Sequence, residues 1–252
     1  MVRILRCFLL TVHLIVSCLL GLFYGLIRPF HPTNSRWCSK TFAFLGLPIL
    51  GMKARVTGQE NFPKDNTFII VANHQSNWDL FVVGNILPPR TVSIGKKSLK
   101  WVPLFGQLYW LAGNILINRG DKQKAMQAME TTKNALLKKR TNIWFFAEGT
   151  RNLGDNMLPF KKGAFITAIE AGVPIVPLCC SSYRKNFDFN RLNNGCVDIK
   201  VLPQIETKGL GKEDVDKLMQ TCHSEMTKTI DLLDKKQAHT REAVGLNRCL
   251  KT

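Results

Sequence analysis

His74-Gln75-Ser76-Asn77-Trp78-Asp79 places a histidine and a carboxylate five residues apart, directly after the apolar run Phe68-Ile69-Ile70-Val71-Ala72. An imidazole at a strand exit, with an aspartate holding its second nitrogen, is the minimal equipment for taking a proton from a hydroxyl. On an unbroken α-helix, residues five apart lie ~140° around the axis and ~7.5 Å along it, so the two side chains would diverge. They can meet only if His74 sits in a turn and Asp79 in the first turn of the helix that follows. Ser76 and Asn77 are suitable N-caps for a helix over Trp78–Leu87, and a first-turn aspartate suits the positive helix end. Asp79 would then fix the tautomer of His74 and stabilise its protonated form. An isolated pair at this spacing is more often a helix cap beside a surface histidine, so other residues must support the reading. A metal pair lacks a third His, Cys, Asp or Glu at recognisable spacing.

Further polar clusters follow short apolar runs. Gly113-Asn114-Ile115-Leu116-Ile117-Asn118-Arg119 ends on a guanidinium, a planar and permanently charged group suited to a phosphate. Phe145-Phe146-Ala147-Glu148-Gly149-Thr150-Arg151 supplies a carboxylate, a glycine that admits close approach to the backbone, a hydroxyl and a second guanidinium. Leu158-Pro159-Phe160-Lys161-Lys162-Gly163 leads two lysines into a helix start, where an anion could bind. Gly95-Lys96-Lys97-Ser98 resembles the tail of a phosphate loop, but position 90 is Arg where the upstream glycine belongs, which excludes a nucleotide P-loop. Lys96 and Lys97 remain candidate contacts for a phosphate or an anionic acyl donor. No G-x-S-x-G elbow is present, so a serine hydrolase of the usual α/β type is disfavoured.

The elements that must position these groups alternate. Strands are expected at Ala54–Thr57, Thr67–Ala72, Thr91–Gly95, Ile115–Ile117, Asn142–Ala147, Pro174–Cys180 and Val197–Leu202. Helices are expected at Trp78–Leu87, Ser98–Leu108, Lys122–Lys139, Lys162–Ala171 and Gly211–Lys236, with the last sixteen residues polar and prone to fray. Such alternation predicts an α/β fold with a mostly parallel, helix-covered sheet, whose chemistry gathers at the carboxyl ends of its strands. His74, Arg119 and Glu148 each lie just past an expected strand, so all three could face one crevice.

Thirty-five Lys and Arg against 18 Asp and Glu give a formal charge of +17, which calls for anionic partners. Eight cysteines show no C-x-x-C pattern, and Cys179-Cys180 end an apolar strand where they would pack rather than react; reduced thiols facing the cytoplasm are the simplest reading. Cys7 to Ile27 carries no charged residue beyond the ambiguous His13; as a helix it would be ~31 Å long, enough to cross a bilayer core. Arg28-Pro29-Phe30-His31-Pro32 follows it, not a small-x-small cleavage site, which argues against a signal peptide. Positive charge flanks the stretch on both sides, and the next apolar run, Thr41 to Met52, is too short to span and is broken by Gly46 and Pro48. Either the first helix spans, or both helices lie in one leaflet as a monotopic anchor. The same-sign ends and the short second helix favour the latter. Residues 1–52 thus read as a membrane anchor and 53–252 as an α/β domain. Membrane attachment leaves nucleic acid a poor partner for the positive charge.

Asn73-His74 through Asp79, Gly113 through Arg119, Phe146 through Arg151 and Val173-Pro174-Ile175-Val176-Pro177 resemble the four ordered blocks of the glycerolipid acyltransferases. Gly95-Lys96-Lys97-Ser98-Leu99, Gly106-Gln107-Leu108-Tyr109-Trp110-Leu111 and Leu158-Pro159-Phe160-Lys161 add to the likeness. The resemblance implies that His74 takes the proton from the free hydroxyl of lysophosphatidic acid as that oxygen attacks an acyl thioester, acyl-CoA or acyl carrier protein. Asp79 would orient His74, with no covalent acyl-enzyme, no metal and no bound organic cofactor. It further implies that Arg119, Glu148, Gly149, Thr150 and Arg151 hold the glycerol phosphate, with Arg119 on the phosphate. Val173–Pro177 would shape the acyl or acceptor pocket, and the enzyme would work at the cytoplasmic membrane among phospholipids, its catalytic domain facing the cytoplasm. Another lysophospholipid or glycerol 3-phosphate as acceptor, or a non-catalytic lipid-binding protein, are the alternatives. Ala147 stands where that family usually has proline, Asn118 where aspartate is common and Leu116 where phenylalanine is common; Asn118 bears on acceptor preference.

Overall fold

All seven expected strands form: β1 (Met52–Thr57), β2 (Ile69–Ala72), β3 (Thr91–Lys96), β4 (Ile115–Ile117), β5 (Asn142–Phe146), β6 (Ile175–Cys180) and β7 (Gly195–Val201). They make one sheet in the order β1-β7-β6-β2-β5-β3-β4. The computed structural model describes residues 1–118, 122–154 and 156–249, without the side chains of 122, 124–126 and 240–249. Pairs β6–β2, β2–β5, β5–β3 and β3–β4 are parallel; β7 runs antiparallel to β6, and β1 parallel to β7. The central run Ile69-Ile70-Val71-Ala72 is wholly buried, as a parallel strand covered on both faces must be.

The helices are α1 (Val2–Ile27), α2 (Asn34–Leu50), α3 (Asp79–Val82), α4 (Phe105–Leu111), α5 (Lys122–Leu137), α6 (Gly163–Ala171) and α7 (Val215–Cys249). The pleat divides the core in two. Ile70, Ala72, Trp144, Val176 and Leu178 pack with residues of α1, α2 and α3. Ile69, Val71, Ile143, Ile175 and Cys179 pack beneath α5, α6 and α7. The loop after β2 therefore enters a helix on one face and the loop after β5 a helix on the other. Their shared crevice is the kind of place where open α/β sheets bind ligands.

Three local expectations are corrected. The helix after the histidine is a single turn rather than Trp78–Leu87. Gly84 passes so close to α2 that a Cβ there would lie 2.2 Å from the Ser39 carbonyl oxygen, and Pro88-Pro89 forbids continuation. Ser98–Leu108 is two pieces, a 3-10 helix (Lys97–Trp101) and α4, separated at Val102-Pro103-Leu104, where Leu104 has φ 63°. The last helix, expected at Gly211–Lys236, runs instead over Val215–Cys249.

α1 is inverted relative to a helix of a water-exposed domain. Arg6, Leu10, His13, Ser17, Gly21 and Gly25 face inward, while Leu5, Phe8, Val12, Leu19, Phe23 and Leu26 are exposed. Gly21 and Gly25 let α1 approach α4: a Cβ at either position would come within 2.7 Å and 2.9 Å of Leu108 and Leu111. Arg6 is buried and donates to five backbone carbonyls, Ile49 at 2.7 Å, Asp188 at 3.2 Å, Phe189 at 2.7 Å, Arg191 at 2.7 Å and Leu192 at 3.3 Å. α1 is long and apolar enough to cross a membrane, yet it is tied to the rest of the chain near both ends.

Candidate active site

Register puts the histidine and the glutamate side by side. β2 and β5 are adjacent and Ala72 pairs with Phe146, so two residues onward His74 faces Glu148. The His74 amide donates to Glu148 Oε1 at 2.9 Å, and the Leu158 amide donates to Oε2 at 3.0 Å. Glu148 thus clamps two loops with one buried carboxylate. Burial raises its pKa above the ordinary value, partly offset by those two amides. The His74 ring stacks on Phe146, with centroids 4.0 Å apart and planes at 17°.

His74 sits in the irregular segment after β2, a turn follows at Asn77-Trp78 and Asp79 opens α3, so the pair closes as the spacing requires. Asp79 Oδ2 lies 2.6 Å from His74 Nδ1. The same oxygen accepts the amides of Gln75 at 2.8 Å and Ser76 at 3.1 Å. Asp79 therefore ties the segment before α3 to the helix start, and α3 itself has no side-chain cap. Neither Ser76 nor Asn77 caps it; Ser76 Oγ accepts the Trp78 amide at 3.2 Å instead. The other oxygen, Oδ1, accepts the hydroxyl of the buried Tyr183 at 2.6 Å. An aspartate on Nδ1 fixes the proton there and leaves Nε2 as the basic nitrogen, on a side chain 21% exposed.

The amides around the pair are built into the sheet. Asn73 exchanges two hydrogen bonds with the Cys180 backbone, at 2.9 and 2.8 Å, and Gln75 Nε2 donates to Ser181 O at 2.9 Å. Thus the loop after β2 is fixed to the end of β6 on one side and to the loop after β5 on the other. Sequence reasoning missed Tyr183, and it gave no role to Asn73, Gln75 and Phe146, which stand inside the quoted blocks. Strand order brings Tyr183 to Asp79, 104 positions away, and no spacing along the chain encodes that order.

Of the residues expected to hold substrate, the structure brings Glu148, Gly149, Arg151 and Lys161 to this loop cluster. Arg151 donates to Asn77 Oδ1 at 2.9 Å, and the Asn152 amide to His74 O at 2.7 Å. Gly149 has φ 72°, which favours glycine, and a Cβ there would lie 3.1 Å from Lys161 Cγ, a tight contact that the lysine side chain would have to relieve. Thr150 is exposed at the same turn. Lys96 ends β3, two strands from β2, and is exposed. Lys97 lines a groove of about 950 Å³ over β4, between α4 and α5, together with Lys100, Trp101 and Asn118. Arg119 lies outside the described residues. Val176 and Pro177 pair with Ile70 and Val71 inside the sheet, so this part of the Val173–Pro177 block lies beside β2 as its neighbouring strand. Cys179 and Cys180 are buried, and burial pushes the Cys179 thiol up to about 12, which suits packing rather than attack.

The family model described as Acyltransferase matches residues 53–181. The chain is 41% identical to the 1-acyl-sn-glycerol-3-phosphate acyltransferases of Salmonella typhimurium and Escherichia coli, over 97% of this chain and 99% of each of those. It is 40% identical to the human 1-acyl-sn-glycerol-3-phosphate acyltransferase alpha over 71% of this chain and 64% of that one. In fold it is similar to the crystal structure of the 1-acyl-sn-glycerophosphate (LPA) acyltransferase PlsC from Thermotoga maritima, with a TM-score of 0.69 at 24% identity over 92% of this chain and 97% of that chain. A full-length likeness of this order, with the His74 and Glu148 loops inside the matched region, shows that the chain belongs to the acyltransferase family of the bacterial 1-acyl-sn-glycerol-3-phosphate acyltransferases.

Proposed function

We propose that this enzyme moves a fatty acyl group from an acyl thioester to the sn-2 hydroxyl of 1-acyl-sn-glycerol 3-phosphate, giving phosphatidic acid, with His74 as the general base. The observation that carries the proposal is the 2.6 Å contact between His74 Nδ1 and a buried Asp79. His74 Nε2 accepts the hydroxyl proton while the oxygen attacks the thioester carbonyl carbon. The new C–O bond forms, the C–S bond breaks, and the imidazolium returns its proton to the departing thiolate. Asp79 stabilises the imidazolium between the two transfers. Direct attack by the acceptor needs no nucleophile from the chain, which agrees with the inert burial of Cys179 and Cys180.

Glu148, Gly149, Thr150 and Arg151 surround the acceptor end of the site, with Lys161 beside the turn, and Arg119 is assigned to the phosphate. Lys96 and Lys97, at the end of β3 two strands along the sheet from β2, suit an anionic donor such as acyl-CoA or acyl carrier protein, as does the charge of +17. The anchor lies in one leaflet, with the catalytic domain on the cytoplasmic side. Supporting this are a 26-residue helix held near both ends to the domain and an apolar stripe on its outer face. Thiol release from acyl-CoA by the purified protein in detergent, with and without lysophosphatidate, tests the reaction. Lysophosphatidate-dependent release with phosphatidate as product supports it. Silence with acyl-CoA and with acyl carrier protein alike overturns the acceptor or the activity.

A further inference from the structure

Asp79 has two oxygens and one histidine. Oδ2 serves His74 and two amides, all within the H-x4-D segment, whereas Oδ1 is taken by Tyr183, which follows β6 and lies beyond the family-model match at 53–181. The phenol–carboxylate contact is 2.6 Å, and the two residues are 3% and 2% exposed. A hydrogen bond of that length between buried partners carries more weight than a surface one, because water cannot replace it. We infer that Tyr183 is a positioning residue of the acyl-transfer reaction, whose phenol fixes the second oxygen of Asp79 and thereby sets the basicity of His74. The inference rests on the reading of His74 as the base.

The direction of the effect follows from charge. A phenol O–H donated to Oδ1 withdraws electron density from the carboxylate. Without it, Asp79 is a stronger acceptor toward Nδ1–H and stabilises the imidazolium more, while the Gln75 and Ser76 amides still hold Oδ2 in place. Removing the phenol therefore raises the affinity of His74 for its proton. Other ionisable groups face the pair from each packed element. Glu148 approaches from the loop after β5, Cys180 from the end of β6 and Arg151 through Asn77. Burial, and then Asp79 itself, push the Tyr183 phenol well above its ordinary pKa, so it remains a donor throughout the range in which an imidazole titrates. A purely structural Tyr183 would fill space in the core around Trp144 and Leu178, and its hydroxyl would be incidental.

The test is the titration of His74 in protein labelled with nitrogen-15 histidine, its resonance identified by its loss in His74→Ala. Tyr183→Phe keeps the ring and removes the hydroxyl. The expected result is a His74 midpoint raised by about half a unit to one unit, a three- to tenfold gain in proton affinity. The acid limb of kcat/KM should move upward in step, with KM for both substrates within about twofold of wild type. Biosynthetic replacement of the chain's three tyrosines by fluorotyrosine, a stronger donor, keeps the side chain in place and should lower the midpoint. An unmoved His74 titration in either protein would overturn the inference, whatever happens to turnover. Retained turnover in His74→Ala would instead remove the base assignment and leave the titration result standing.

Discussion

At the scale of single residues the site is a chain of shared carboxylates. Asp79 divides its oxygens between the histidine and the tyrosine, and Glu148 divides its own between the His74 and Leu158 amides. Glu148→Gln leaves one amide facing an NH₂ group instead of an oxygen, a loss of the order of 1–2 kcal/mol and about tenfold in kcat/KM. Because burial raises the pKa of Glu148 in the folded protein, the native state binds its proton more tightly than the unfolded chain does. Its contribution to stability is therefore present below the ordinary carboxylate range and is lost as pH rises through the folded value. Thermal midpoints of wild type and Glu148→Gln measured from about pH 4 to about pH 7 should show the wild-type advantage shrinking upward. A gap that grows with pH would contradict the buried, proton-favouring setting. Chemistry at this scale was legible where one short segment holds both partners. The H-x4-D spacing predicts a turn followed by a helix start, and that is what forms. Tyr183 was not legible, because its partner is 104 positions away in sequence and only strand order joins them.

At the scale of elements, the strands were readable because each is a short apolar run between turn residues. The helices were less so. The single-turn α3 and the broken 3-10 and α4 pair depend on Gly84 against Ser39 and on Pro103, contacts and kinks that amphipathic periodicity does not encode. α1 was readable as apolar but not as inverted, since its polar inner face matters only once α2 and the Asp188–Leu192 loop are in place. Arg6 makes that loop part of the helix packing, and the loop carries Phe189 against Trp78, with ring centroids 5.6 Å apart, next to Asp79. Arg6→Met should leave five carbonyls short of a donor and cost about 3 kcal/mol, with no recovery in Arg6→Lys, because a point ammonium cannot reproduce the planar fork. Thermal unfolding in detergent checks this. Wild-type stability in either variant would show that the guanidinium is incidental to the packing of α1.

At the scale of the whole molecule, a strongly basic chain with an apolar outer stripe on its first helix is suited to a membrane surface and an anionic donor together. Residues 1–52, expected as a separate anchor, belong to the core, since Leu10, Cys18, Phe42 and Leu47 share one cluster with Ile70 and Ala72 of the sheet. Alkaline carbonate or high salt should leave the protein on membranes, because apolar burial of α1 is insensitive to both. Clean release by either would refute the apolar attachment. The measurement that tests the account most directly is acyl transfer to lysophosphatidate by purified wild type beside His74→Ala, with the lipid product identified by mass. A fall of roughly 100-fold or more in kcat, with the variant still folded and membrane-bound, is the outcome a general base requires. Near-normal turnover in the variant would contradict it.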